Sequence, residues 1–248
     1  DDLIRKEIQS VIEEKPQEYL FRILAGKMEY ILGHHKEAVA FFNQATKINR
    51  DSARDLVTYY EEMSREHIDD QFYLLELIKS YLECDMYDEA VMFLKEIDVR
   101  EEYLLKYMQV LRLMTEYYPE DAFAFQRLGD YFWEAKKYED AVTHYTRVMA
   151  LGDRPRQEAI IDMIRKDIDH ISLGAVWHLF IDLALELGRM DEAIASLEEA
   201  LEKLSPEDLK ELKERIAHLD SDTHDIKTMR IITLLLIRIG ETQEAFSH

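Results

Sequence analysis

Apolar residues recur along this chain at helical spacing, and no stretch shows the strict alternation of a half-buried strand. The segments FYLLELIKSYLEC (72–84), FAFQRLGDYFWEA (123–135) and AVWHLFIDLALEL (175–187) are apolar nearly all round, so they predict helices buried on more than one side. After each comes a turn and then a short recurring phrase. It reads KEAVAFF at 36–42, DEAVMFL at 88–94, EDAVTHY at 139–145, DEAIASL at 191–197 and QEAF at 243–246. Its alanines, Ala38, Ala90, Ala141, Ala193 and Ala245, follow one another in steps of 52, 51, 52 and 52 residues. Five residues before each alanine stand Gly33, Asp85, Lys136, Gly188 and Gly240, a position suited to a left-handed helix C-cap between two helices. The acidic residues beside each alanine meet the positive end of the following helix, and the alanine lets two antiparallel helices approach closely.

The third copy runs Phe125-x2-Leu128-Gly129-x2-Phe132 and then Ala141-x3-Tyr145. This resembles the tetratricopeptide repeat, with its Trp-x2-Leu-Gly-x2-Tyr and Ala-x3-Phe pattern. The first copy keeps Gly26, Ala38 and Phe42, the second Leu77, Tyr81 and Ala90, and the fourth Trp177, Ala193 and Ala200. Ile78, Ile181 and Thr233 stand where the family prefers glycine, so those hairpins must pack differently. The family repeats about every 34 residues, which leaves roughly 18 residues per copy unassigned. Those residues carry helical periodicity of their own: Leu56, Tyr60, Met63 and His67; Leu104, Met108, Leu111 and Tyr118; Ile161, Ile164, Ile168 and Ile171. The fourth begins Ser205-Pro206-Glu207-Asp208, a helix N-cap followed by proline and acid in the first turn. Residues 3–14 look like the same element ahead of the first hairpin. The unit is therefore three helices, A, B and C, with C either an outer third layer or one leg of a zigzag.

The resemblance implies an all-α, right-handed helical-repeat solenoid. A single domain over 1–248 is expected, with units at 15–68, 69–119, 120–170 and 171–221 and a partial unit at 222–248. A chain beginning at Asp1 and ending inside a helix-like segment, Glu241–His248, is expected to be part of a longer protein.

Composition narrows the function classes. The formal charge is -21, spread evenly along the chain, and its field repels phosphate backbones and anionic lipid unless a local patch reverses it. No nucleic acid is expected, no bilayer-spanning segment is present in the sequence, and a basic or neutral protein partner fits best. The lone Cys84 suits the cytoplasm and also a cysteine-poor periplasm. HExxH, GxSxG and glycine-rich phosphate loops are missing, which argues against an enzyme, and no cofactor is expected. His218, Asp220, Asp222, His224 and Asp225 form the densest potential metal-ligand cluster, but their spacing matches no defined loop, and they read as turn formers and caps. His34 and His35 read as residues of a turn.

In tetratricopeptide proteins, ligand peptides lie along the concave face formed by the A helices. Carried over residue by residue, that face would present Leu75, Lys79, Gln126, Asp130, Trp133, His178, Asp182, Glu186 and Arg230. Trp133 falls one position past the core slot of Phe132 and is the candidate hot spot, while Trp177 occupies the core slot itself. Asp130, Asp182 and Glu186 would make the groove acidic. The expected function is a non-enzymatic scaffold binding a peptide or protein, favouring a basic one. The alternative is a periplasmic accessory domain of a secretion or exopolysaccharide-export machine that binds a cationic polymer or a secretion partner.

Overall fold

The computed structural model describes residues 2–216 together with Thr233 and Ile237. The fifth phrase, Gly240, Arg230 and the 218–225 cluster lie outside the described residues.

All regular structure among the described residues is helical, and the chain divides into two compact units, Asp1–Tyr117 and Tyr118–His248. In the first unit, α1 (Asp2–Glu14) precedes the hairpin of α2 (Tyr19–Ile31) and α3 (His35–Ile48). A short 3-10 turn, Arg50–Asp55, leads into α4 (Val57–Glu66). The second hairpin, α5 (Gln71–Glu83) and α6 (Tyr87–Glu96), is followed by α7 (Leu104–Tyr117). In the second unit, the hairpin α8 (Ala122–Glu134) and α9 (Tyr138–Ala150) is followed by α10 (Arg154–Asp167). The hairpin α11 (Gly174–Glu186) and α12 (Met190–Lys203) is followed by α13 (Pro206–Ile216). Four copies of the A, B, C series are thus in place, each with the predicted surplus helix.

Local chemistry sets the helix ends. Asp70 and Asp121 cap α5 and α8 by accepting the backbone N–H groups of Phe72 and Phe123 at 3.0 and 2.6 Å, a contact worth about 1 kcal/mol. Ser205 Oγ accepts the Asp208 N–H at 3.2 Å, as its sequence position predicts. All four described turn residues adopt the left-handed conformation: Gly33 at φ 78°, Asp85 at 60°, Lys136 at 57° and Gly188 at 74°.

The two kinds of hairpin foreseen from Ile78 and Ile181 are compensated across the A–B contact. A Cβ on Gly26 would stand 2.4 Å from Phe42 Cε1, and one on Gly129 would stand 2.3 Å from Tyr145 Cε1. Glycine is needed there because the aromatic ring fills the space. At the same register in the other two hairpins the sizes are exchanged, with Ile78 and Ile181 on the A helices and Leu94 and Leu197 on the B helices, all buried. Leucine, smaller than an aromatic ring, leaves room for a side chain at the facing A-helix position. Each compact unit therefore holds one glycine/aromatic hairpin followed by one isoleucine/leucine hairpin.

The C helices pack on A helices. Within the first unit, α5 lies against α4, α6 and α7; within the second, α10 touches α8, and α11 is surrounded by α9, α10, α12 and α13. An A helix is accordingly covered by its own C helix and also by the C helix of the preceding repeat in the same unit. This explains the apolar girth of α5 and α11. Trp177 is fully buried and donates its indole N–H to the Ile171 carbonyl at 2.8 Å.

One arginine in each unit ties a hairpin to the next. Arg50, just past α3, donates to the Leu82 and Glu83 carbonyls at the end of α5, pairs with Asp85 at 2.8 Å and lies 4.0 Å over the Tyr117 ring. Arg154, just past α9, donates to the Leu187 carbonyl at the end of α11. Both add donors to carbonyls at a helix C-terminus, with charge of the favourable sign.

Candidate functional site

The added helices decide which of the sequence-predicted groove residues reach the surface. Leu75 is fully buried at the base of a cleft whose other wall includes α7. Trp133, 4 % exposed, donates its indole N–H to Asp167 at the end of α10 at 3.0 Å and meets Tyr138 edge-on. His178, 3 % exposed, has its Nε2 3.0 Å from the Asp208 carbonyl of α13. Burial corrects the expectation for these three. The face that a 34-residue repeat leaves open carries a C helix here.

Gln126, Glu186 and Asp130 hold side-chain partners. Gln126 accepts from Arg156 at 2.6 Å, and Glu186, which is exposed, accepts from Gln157 at 3.0 Å. Asp130 accepts the Tyr145 hydroxyl at 2.9 Å. Burial pushes its carboxyl above the usual range, while that hydrogen bond and Arg127 oppose the shift. Asp182 is half-buried on α11. Arg230 lies outside the described residues.

Lys79 sits in a different kind of site. In the first unit a cleft of about 300 Å3 opens between α3, α5 and α7. Helix α3 contributes Asn43 and Lys47, α5 contributes Leu75, Glu76 and Lys79, and α7 contributes Lys106, Gln109, Val110 and Leu113. The i, i+4 pairs 43/47, 75/79 and 109/113 put each helix's contribution on one face. Glu76 lies at the bottom, 4 % exposed, accepting from Asn43 Nδ2 at 3.0 Å and ion-paired with Lys106. Lys79 donates to Asn43 Oδ1 at 2.7 Å and lies 3.5 Å from Glu83, whose carboxyl is raised by burial against the lowering pull of Lys79. The Lys106 ammonium also stands 4.2 Å over the Phe72 ring. Lys47 is exposed at the rim.

Three lysines against Glu76 make the cleft locally positive in a chain of charge -21. Beside Glu76, Leu75, Val110 and Leu113 give the cleft an apolar lining. That combination suits an anionic group attached to an apolar stem. Sequence reasoning singled out Leu75 and Lys79 but missed Asn43 and Lys106. They come from a B helix and an added C helix, whose register against the A helix no short motif encodes.

The tetratricopeptide-repeat family model matches residues 22–52 and 177–202. These segments contain most of the hairpin of α2 and α3 and most of the hairpin of α11 and α12. They are tetratricopeptide-like repeats. The described residues form an all-α array of helical hairpins, each followed by a further helix, and repeats of the matched family generally mediate protein–protein interaction. Among curated proteins none matches the chain. No helix among the described residues is long and apolar enough to cross a membrane.

Proposed function

We propose that this protein is a non-enzymatic scaffold holding a protein partner, and that the cleft of the first unit seats an acidic side chain or terminal carboxylate of that partner. The observation that carries the reading is the convergence of Lys47, Lys79 and Lys106 on the apolar lining of Leu75, Val110 and Leu113. Lysine ammonium groups bind carboxylates as point charges, and the existing bonds among Asn43, Glu76 and Lys79 hold the cleft's polar groups in place before a ligand arrives.

A second reading rests on the second unit, where exposed Glu186 and half-buried Asp182 lie one helical turn apart on α11 and the charge of the chain favours a basic partner. One experiment separates the two. Peptides selected from a random displayed library on the full chain are expected to carry Asp, Glu or a free C-terminus, and to lose binding on Lys47→Glu or Lys79→Gln. Basic peptides that ignore both changes and lose binding on Asp182→Lys with Glu186→Lys refute the cleft and support the acidic face.

A further inference from the structure

At the opposite end of α3 from Lys47, the first unit brings together three groups that are distant in sequence or unremarkable in it. His35 opens α3, Glu66 is the last residue of α4, and His67 follows as its C-cap. His35 Nδ1 lies 2.6 Å from His67 Nε2, and His35 Nε2 lies 3.8 Å from a Glu66 carboxylate oxygen. One ligand-type atom from each of the three falls within 4.8 Å of the others. We propose that His35, Glu66 and His67 form a binding site for a zinc-class divalent transition metal, with an open coordination position toward solvent.

The chemistry of the donors fits. Two imidazoles and one carboxylate are a borderline donor set that favours zinc and its neighbours over calcium or magnesium, which prefer all-oxygen cages. Three protein ligands leave the fourth position of a tetrahedral ion for water or an incoming group. Zinc–nitrogen bonds of about 2.0–2.1 Å put two tetrahedral ligands about 3.3 Å apart. The two facing ring nitrogens need to part by about 0.7 Å to admit the ion, and the exposed Glu66 carboxylate, now nearest the other His35 nitrogen, turns toward it.

The rings are also held. Tyr30 stacks on His35 with centroids 5.2 Å apart and an interplanar angle of 21°, and Tyr73 stacks on His67 at 4.5 Å and 22°. Tyr73 belongs to α5 and Tyr30 to α2, so aromatics from both hairpins stack on the donors. His35 is mostly covered, whereas Glu66 is exposed and stands at the mouth. Ligands oriented by surrounding packing in this way make a preorganised site rather than a chance meeting of surface histidines. Bound there, an ion would fasten the first hairpin to its added helix across a separation of 32 residues.

The test uses the untagged full chain, stripped of metal by a chelator and titrated with Zn2+ and with Co2+. One equivalent is expected to bind per chain, with Co2+ developing visible d–d absorption that Zn2+ abolishes. His35→Gln and His67→Gln are each expected to weaken binding by about tenfold or more, in line with the cost of disturbing a metal's ligand set. Glu66→Gln, a change at an exposed position, is expected to weaken it with the circular dichroism spectrum unaltered, so it decides the matter even if a histidine variant fails to fold. The paired change His218→Gln and His224→Gln is expected to leave affinity as it was. Absence of saturable binding, insensitivity to Glu66→Gln and His67→Gln, or loss of binding in the His218/His224 pair instead would overturn the assignment.

Discussion

Gly129→Ala inserts one methyl group where the Tyr145 ring already lies. The new Cβ would stand 2.3 Å from Cε1, 2.6 Å from Cδ1 and 2.9 Å from Cζ, against an ordinary carbon–carbon contact of about 3.5–4.0 Å. The ring has to retreat by more than about 1 Å to restore that contact. It is fully buried, and its hydroxyl is tethered to Asp130 at 2.9 Å, so it cannot swing outward freely. Overpacking of this kind costs about 1–3 kcal/mol, while alanine in place of glycine inside a helix returns about 1 kcal/mol. The expected net loss is up to about 2 kcal/mol, which lowers Tm by about 2–4 °C per kcal/mol for a chain of this size. The deciding assay is a double-mutant cycle by urea unfolding with Tyr145→Leu, which copies the leucine that faces isoleucine in the alternate hairpins. Tyr145→Leu alone is expected to be costly, because it removes a buried ring and leaves Asp130 without its donor. The double variant should be less damaged than the sum of the two, with a coupling of about 1 kcal/mol or more. A stabilising Gly129→Ala, or strictly additive effects, would show that glycine is not required by the ring.

Other consequences follow from the same structure. Lys136→Gly, at an exposed left-handed turn, is expected to stabilise by about 0.5–1 kcal/mol, the relief of the side-chain clash less the added freedom of the unfolded chain. Asp85→Gly should gain less in the same denaturation assay, since it also removes the partner of Arg50. Asp130 is raised by burial, so its contribution favours the fold in acid and is lost as pH rises through its folded pKa. Asp130→Asn keeps an acceptor for Tyr145, and its stability relative to the parent should grow as pH climbs through the carboxylate range and then level off; a gap that shrinks on the way up contradicts the burial argument. The Cys84 thiol is buried and pushed up to about 11 by that burial, reinforced by Glu83, so labelling by a thiol reagent at neutral pH should be slow until denaturant is added.

Much of the fold was legible in the sequence. The step between alanines announced the repeat, the residues five before them announced the left-handed turns, and Ser205-Pro206 announced α13. The candidate groove was less so, and for one physical reason. Leu75, Trp133 and His178 were placed by analogy with a repeat that has no third helix, and here α7, α10 and α13 meet those A-helix faces. Periodicity tells that a C helix exists and which of its sides is apolar, but not which neighbour that side will cover. The same gap hid the lysine cleft and the approach of His35 to His67, since both join elements about 30 residues apart through packing alone. Trp177 was read correctly because its slot faces the hairpin partner, an arrangement the short motif does encode.

The alternation of glycine/aromatic and isoleucine/leucine hairpins, with Arg50 and Arg154 each clasping the helix that follows, gives the array a grain. Copies of like kind stand two repeats apart, so the structural module among the described residues is a pair. A single-repeat duplication would set a hairpin beside a neighbour lacking its arginine clasp, whereas growth or loss by pairs carries every clasp along with its target. An engineer who wants a longer or shorter version should cut and join at the pair boundary near residue 118 rather than between the two hairpins of a unit.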